Sequence, residues 1–257
     1  MSLEDGIEDV VSKAMMGLGI DAGILAEKSG ISVAELEEIL SGVSKESSLR
    51  KIAAVLQLDA DALVALPGYV PAVQDILGVR RIELPYRQWT VNAWMVEAGG
   101  LRLLFDTGFG SEDIIRSIEN IMPDAVLITH SHEDHVGGMA ALECDGIRVI
   151  SETEALQEST FGFGSISVRA VDLSGHKTPT AGYLIEGLEK RLLVAGDAIF
   201  AGSIGRCRST DAYRMAFANL RHVLGDARSD CVILPGHGPA TTVAEEFDSN
   251  PFHMGFD

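Results

Sequence analysis

The stretch His130-Ser131-His132-Glu133-Asp134-His135 gathers three of the chain's seven histidines beside acidic side chains within six positions. Neutral imidazoles and carboxylates are the donors that a borderline divalent ion such as zinc takes. The preceding run, Ala125-Val126-Leu127-Ile128-Thr129, is short, apolar and rich in β-branched residues, which predicts a buried strand. Gly137-Gly138 follows and lets the chain turn. The cluster is therefore expected on a loop at a strand end. Alternate spacing there lets His130 and His132 converge on one ion, while Asp134 and His135 face a second. Three further strand-like runs end in a potential ligand after a glycine: Gly175-His176, Gly196-Asp197 and Pro235-Gly236-His237. Loops at one edge of a rigid scaffold are where sites are built.

The scaffold follows from apolar spacing. Residues 1 to about 66 repeat apolar positions every three or four residues, as in Val10, Val11 and Ala14, or Leu49, Ile52, Ala53 and Leu56, and read as all helix. Ser32 with Glu35 forms a capping-box pattern that predicts a helix start, and Gly30 breaks the helix before it. Pro67-Gly68-Tyr69-Val70-Pro71 is a breaker cluster. We divide the chain there into a helical unit, residues 1–69, and a second unit, residues 70–257. In the second unit short apolar runs predict strands at Val91–Val96, Leu101–Phe105, Ala125–Thr129, Arg148–Ile150, Ile166–Leu173, Gly182–Glu186, Arg191–Ala195 and Val232–Leu234. Helices are expected at Asp113–Asn120, Gly138–Glu143 and Asp211–Leu224. Packed sheets with helices outside, an α+β fold, is the expected class.

With 46% hydrophobic and 23% charged residues the chain has the composition of a globular protein. A net charge of −18 argues against general affinity for nucleic acid or anionic membrane. The acidic start is unlike a signal peptide, no run is long enough to span a membrane, and Cys144, Cys207 and Cys231 show no paired spacing. A cytoplasmic location without disulfides is expected.

The motifs Asp106-Thr107-Gly108, Thr129-His130-Ser131-His132-Glu133-Asp134-His135, Gly175-His176, Gly196-Asp197 and Pro235-Gly236-His237-Gly238 resemble the metallo-β-lactamase superfamily, in family order. The resemblance implies a four-layer αββα sandwich with a metal site at one edge. By it, His130, His132 and His176 bind one metal, Asp134, His135 and His237 bind a second, Asp197 bridges them, and Asp106 supports the site from behind. Two divalent ions are implied, zinc first, with iron or manganese as alternatives. His222 and His253 are left as surface residues.

Within the superfamily, Gly205-Arg206 and the tail from Pro235 through Asn250-Pro251-Phe252 look most like the glyoxalase II-type hydrolases, which cleave S-acyl-glutathione thioesters. Arg206 and Arg208 are then candidate contacts for a substrate carboxylate or phosphate. Pro239 stands where that enzyme has a Tyr. The chain ends soon after His237 and is expected to lack that enzyme's C-terminal helical domain, so weak preference for glutathione is expected. The implied chemistry is attack on an acyl carbon by a metal-bridging hydroxide that Asp134 ligates and orients. Alternatives on the same fold are a lactone or phosphodiester hydrolase and a mononuclear iron persulfide dioxygenase. A ligand-sensing transcriptional regulator is the non-enzyme alternative.

That last alternative rests on residues 7 to 66, where Leu25 to Ser32, with Leu36, Ile39, Leu40, Ser41-Gly42 and Ile52 to Leu56, resembles the repressor-type helix-turn-helix family. The helix that would enter the major groove, Ser32 to Leu40, carries Glu35, Glu37 and Glu38 and no side chain suited to base edges. Through residue 66 five basic residues face twelve acidic ones. DNA binding is not expected; the unit is expected to serve packing or homo-oligomer contacts beside a small-molecule enzyme.

Overall fold

The computed structural model describes residues 2–72 and 75–256. The first segment folds as α1 (Ile7–Leu18), α2 (Ala22–Ser29), α3 (Val33–Leu40), α4 (Glu46–Leu56) and α5 (Ala60–Ala65). The three-and-four spacing explains the packing, since Val10, Val11, Ala14, Leu36, Ile39, Ile52 and Leu56 share one cluster. Gly30 ends α2 in the left-handed region at φ 66°, a conformation that costs a side-chain-bearing residue energy. The Ser32 capping box forms only by half. Ser32 Oγ accepts from the Glu35 N–H at 3.1 Å, but the Glu35 carboxylate instead takes the Ser48 hydroxyl on α4. The complete box lies elsewhere, at Thr242 and Glu245.

The second segment opens with β1 (Val79–Tyr86), β2 (Trp89–Ala98) and β3 (Leu101–Phe105), then α6 (Ser111–Ile118), β4 (Ala125–Leu127), α7 (Glu133–Val136), α8 (Met139–Cys144), β5 (Arg148–Ile150) and α9 (Glu152–Glu158). It continues with β6 (Thr160–Phe163), β7 (Ile166–Asp172), β8 (Ala181–Glu186), β9 (Leu192–Gly196), β10 (Ile199–Phe200), β11 (Ser203–Ile204), α10 (Thr210–Asp226), β12 (Val232–Pro235), β13 (Thr241–Thr242) and α11 (Val243–Ser249). One sheet runs β1-β2-β3-β4-β5, the other β13-β12-β9-β8-β7-β6.

Strand alternation decides the layering, because successive side chains point to opposite faces. Leu103, Phe105, Ala125 and Leu127 meet Tyr183, Leu192, Val194, Val232 and Leu234 between the sheets. The intervening Leu104, Val126 and Ile128 pack on Ile114, Ile118 and Leu142 of α6 and α8. On the far side, Leu184, Leu193, Ala195 and Ile233 pack on α10 and on the N-terminal helices in one continuous cluster. The order is helices, sheet, sheet, helices, a mixed α+β sandwich, and the N-terminal helices share its outer core. Strands buried on both faces read as unbroken apolar runs, which is why the central ones were legible.

Several elements escaped the apolar-run criterion. In β1 only Ile82 and Leu84 are buried, alternating with exposed Glu83 and Pro85, as an edge strand allows, and Pro85 is tolerated there. β6, α9 and α11 are short and half-exposed. The expected loop after β4 is a loop only to His132; Glu133–Val136 is one turn of helix.

Topology brings the site together. β3 and β4 run parallel, as do β9 and β12, while β7 pairs antiparallel with β8 and β8 with β9, so β7 points the same way as β9. Asp106, His130, His176, Asp197 and His237 all follow the C-terminal ends of these strands. Hydrogen bonds between the sheets fix that edge: the Ala181 N–H donates to Thr129 O at 2.8 Å, and Trp94 Nε1 donates to Pro235 O at 2.9 Å.

Candidate metal centre

Two groups of donors face each other at this edge: His130, His132, His176 and Asp197, and Asp134, His135 and His237. These are the residues the sequence singled out, with Asp197 falling in the first group. His130 Nε2 and His176 Nε2 lie 3.1 and 3.0 Å from His132 Nδ1, so three ring nitrogens point at one spot. Asp197 lies between the groups. Its Oδ2 is 3.3 Å from His176 Nε2 and 3.8 Å from His130 Nε2, and its Oδ1 is 3.3 Å from His135 Nε2 and 3.6 Å from His237 Nε2. Asp134 Oδ2 is 3.4 Å from His237 Nε2.

The ring tautomers follow from what stands behind each histidine. Asp106 Oδ1 accepts the Thr129 N–H at 2.7 Å, and its Oδ2 accepts both the Thr129 hydroxyl and His135 Nδ1, each at 2.8 Å. A carboxylate only accepts, so His135 must carry its proton on Nδ1. The Thr129 hydroxyl is spent on Asp106, so His130 Nδ1, 3.0 Å from Thr129 Oγ1, must donate to it. His176 Nδ1 donates to Arg206 O at 3.0 Å and His237 Nδ1 to Thr90 O at 2.7 Å. When neutral, these four rings each present a bare Nε2 inward; His132 alone faces inward through Nδ1. Asp106 acts on both groups at once, directly through His135 and by way of Thr129 on His130. It holds φ 60°, a left-handed conformation that an Asp tolerates better than most residues.

The residues fit a metal pair. His135 Nε2 and Asp197 Oδ1 are buried without a hydrogen-bond partner, an arrangement that is costly unless something cationic sits between them. Protons fill that role in part. Burial opposes charge on His135, but Asp197 and Asp106 outweigh it and raise its pKa. Burial opposes charge on His237 too, yet Asp197 and the Asp134 hydrogen bond push it up to about 9. Asp197 itself is held well down, because His237 and His135 outweigh its burial. His130, His132 and His176 are lowered, chiefly by burial, and stay neutral donors. Space is tight: a Cβ on Gly236 would lie 2.3 Å from Asp197 Oδ1 and 2.7 Å from His135 Cε1.

Arg206 contributes its carbonyl to His176, while its guanidinium donates to Ser12 Oγ on α1 at 3.0 Å and lies 3.8 Å from Asp9. Arg208 is exposed. Glu133 points away from the donors and takes Tyr86 and Arg87. His253 is partly buried and pairs with Asp59 at 3.3 Å, a tie between the C-terminal turn and α5 rather than an idle surface residue. Sequence reasoning missed Thr129, Asn92 and Trp94, which hold the His237 loop and the tautomers. Asn92 Nδ2 donates to Pro235 O at 3.0 Å and Gly238 O at 2.9 Å. The available signal was a polar Asn inside the apolar run of β2.

A model of the metallo-beta-lactamase superfamily matches residues 86–143. The chain is 26% identical over 206 residues to the probable metallo-hydrolase YqgX of Bacillus subtilis, covering 67% of this chain and 97% of that protein. It is 27% identical over 183 residues to the hydroxyacylglutathione hydrolase GloC of Haemophilus influenzae, covering 58% of this chain and 85% of that protein. The solved structure of the B3 metallo-beta-lactamase BLEG-1 superposes with a TM-score of 0.56 at 23% identity, over 68% of this chain and 99% of that one, a likeness of fold. The chain is thus similar to the metallo-beta-lactamase superfamily in residues 86–143, to metallo-hydrolases along most of their length, and to a metallo-beta-lactamase in fold.

Proposed function

We propose that the protein hydrolyses thioesters at a centre of two divalent ions, zinc first on ligand type. The observation that carries this reading is Asp197, which directs one carboxylate oxygen at each group of nitrogens. His130, His132 and His176 would hold one ion, Asp134, His135 and His237 the other, with Asp197 between. Such a pair supplies a water acidified toward neutrality and a Lewis acid for the acyl oxygen.

The chain's own residues do the rest. Burial opposes charge on Asp134, but the His237 hydrogen bond and the charges of His135 and His237 together outweigh it and lower its pKa, and the carboxylate would accept a hydrogen bond from the attacking water and aim it at the acyl carbon. Asp106 and Thr129 hold His130 and His135 in the ligating tautomer. A thiol with a pKa of about 8.5 leaves as thiolate with little protonation, which suits a site built of acceptors and neutral imidazoles. The similarity to GloC, a hydroxyacylglutathione hydrolase, supports the thioester class. The helical unit is assigned no DNA: α3 presents Glu37 and Glu38 to solvent. The test is metal content alongside a panel of thioesters, lactones and phosphodiesters, with oxygen uptake followed in parallel. Two ions per chain with thioester turnover is expected. One iron with oxygen uptake, or turnover confined to lactones or phosphodiesters, overturns the reading.

A further inference from the structure

The N-terminal segment reaches the metal centre at three places. Glu4 packs over the His237 loop: a Cβ on Gly238 would lie 3.2 Å from Glu4 N and 3.4 Å from Glu4 Cβ. The Glu4 carboxylate is half-buried, and His237 and Asp197 are among the groups whose charge it feels. Lys13 is buried with Asp5, donates to Ile204 O at 2.8 Å and sits 5.0 Å over the Phe200 ring, whose centroid lies 5.9 Å from that of His237. Arg206 completes the set through Ser12 and Asp9. Ile204 to Arg206 is thereby strapped against the centre. A Cβ on Gly205 would stand 1.8 Å from Asp197 O and 2.9 Å from His176 Cβ.

We propose that the segment from Glu4 to Lys13 is a wall of the substrate site, with Glu4 the residue that turns away leaving thiols carrying carboxylates. This rests on the thioester reading above. The charge distribution supports it. Two cations of this side, Lys13 and Arg206, are already engaged by Asp5, Ser12 and Asp9. Among the described residues Glu4 has no ion pair within 4 Å, and His237 and Lys13 act on it only from farther off. A carboxylate brought to this side meets the Glu4 acid beside His237, on a chain of net charge −18. Specificity by repulsion needs only such a misplaced like charge. The favoured substrate is an acyl group on a neutral or cationic thiol.

The test uses one acyl group on two thiols, glutathione, which carries two carboxylates, and N-acetylcysteamine, which carries none. Metal-loaded wild type, Glu4→Gln and Glu4→Lys are compared in kcat/KM, and the free thiols are compared as competitive inhibitors. Wild type is expected to favour the cysteamine thioester. The glutathione-to-cysteamine ratio should rise several-fold in Glu4→Gln and by a further factor on the order of ten in Glu4→Lys, through KM. Inhibition by glutathione should tighten in the same order. Equal ratios and equal glutathione inhibition in all three proteins overturn the wall while leaving the thioester reading standing. A wild type that turns over neither thioester overturns both.

Discussion

Replacing Asp106 by Asn tests whether the hydrogen-bond relay behind the centre sets its metal affinity. The isosteric amide keeps its oxygen on the Thr129 N–H, because the flipped amide would set an NH2 against that donor. Its NH2 then stands where Oδ2 accepted from Thr129 Oγ1 and His135 Nδ1. Facing a donor, His135 must accept through Nδ1 and move its proton to Nε2, the nitrogen that faces the metal. The Thr129 hydroxyl, no longer drawn to Asp106, turns to His130 Nδ1 and drives the same inversion there. One substitution thus protonates a ligating nitrogen in each group. Loss of such supporting partners costs about 10- to 100-fold in metal affinity, or about 1–3 kcal/mol. The assay is zinc competition with a chelator, run beside thermal melting of the metal-free protein, whose fold should survive. Asp106→Gly suits the left-handed backbone but strands three buried donors at about 1–3 kcal/mol each, so its metal-free form should melt well below wild type. Zinc affinity of Asp106→Asn within about threefold of wild type would refute the relay.

Other substitutions separate ligation from packing. His132→Ala should lose metal and activity together, since His132 Nδ1 is the point where the first group's nitrogens meet; full metal content with activity retained contradicts this. Gly236→Ala should fold yet bind substoichiometric metal, because its methyl would intrude between Asp197 and His135; a full complement by metal analysis refutes the cradle. Glu246, buried among Tyr69, Thr241, Gly202 and Asn250, is pushed by burial from 4.5 to about 7. The folded protein therefore holds a proton that the unfolded chain releases, and stability falls as pH rises from about 4.5 to about 7, by about 3 kcal/mol from this group. Urea unfolding of Glu246→Gln across that range should lack this fall; parallel profiles for variant and wild type would show the group is not its source.

The sequence by itself determined the donors and the central strands. His130, His132, Asp134 and His135 were legible as one cluster of donors after an apolar run, and His176, Asp197 and His237 because each follows a strand-like run and a glycine. The N-terminal helices were legible from their three-and-four spacing. Edge elements were not: β1, with only Ile82 and Leu84 buried, has too little apolar content, and α11 is a short, half-exposed helix behind a capping box at Thr242 and Glu245. Tertiary structure alone decided what stands behind each ligand. The partners of His130, His135, His176 and His237 are Thr129, Asp106, Arg206 O and Thr90 O, and three of these lie 29 or more residues away in sequence. It also turned Arg206 toward Ser12 and laid Glu4 beside His237. Such choices depend on which strands run parallel and which loops share an edge, and local periodicity carries no record of either.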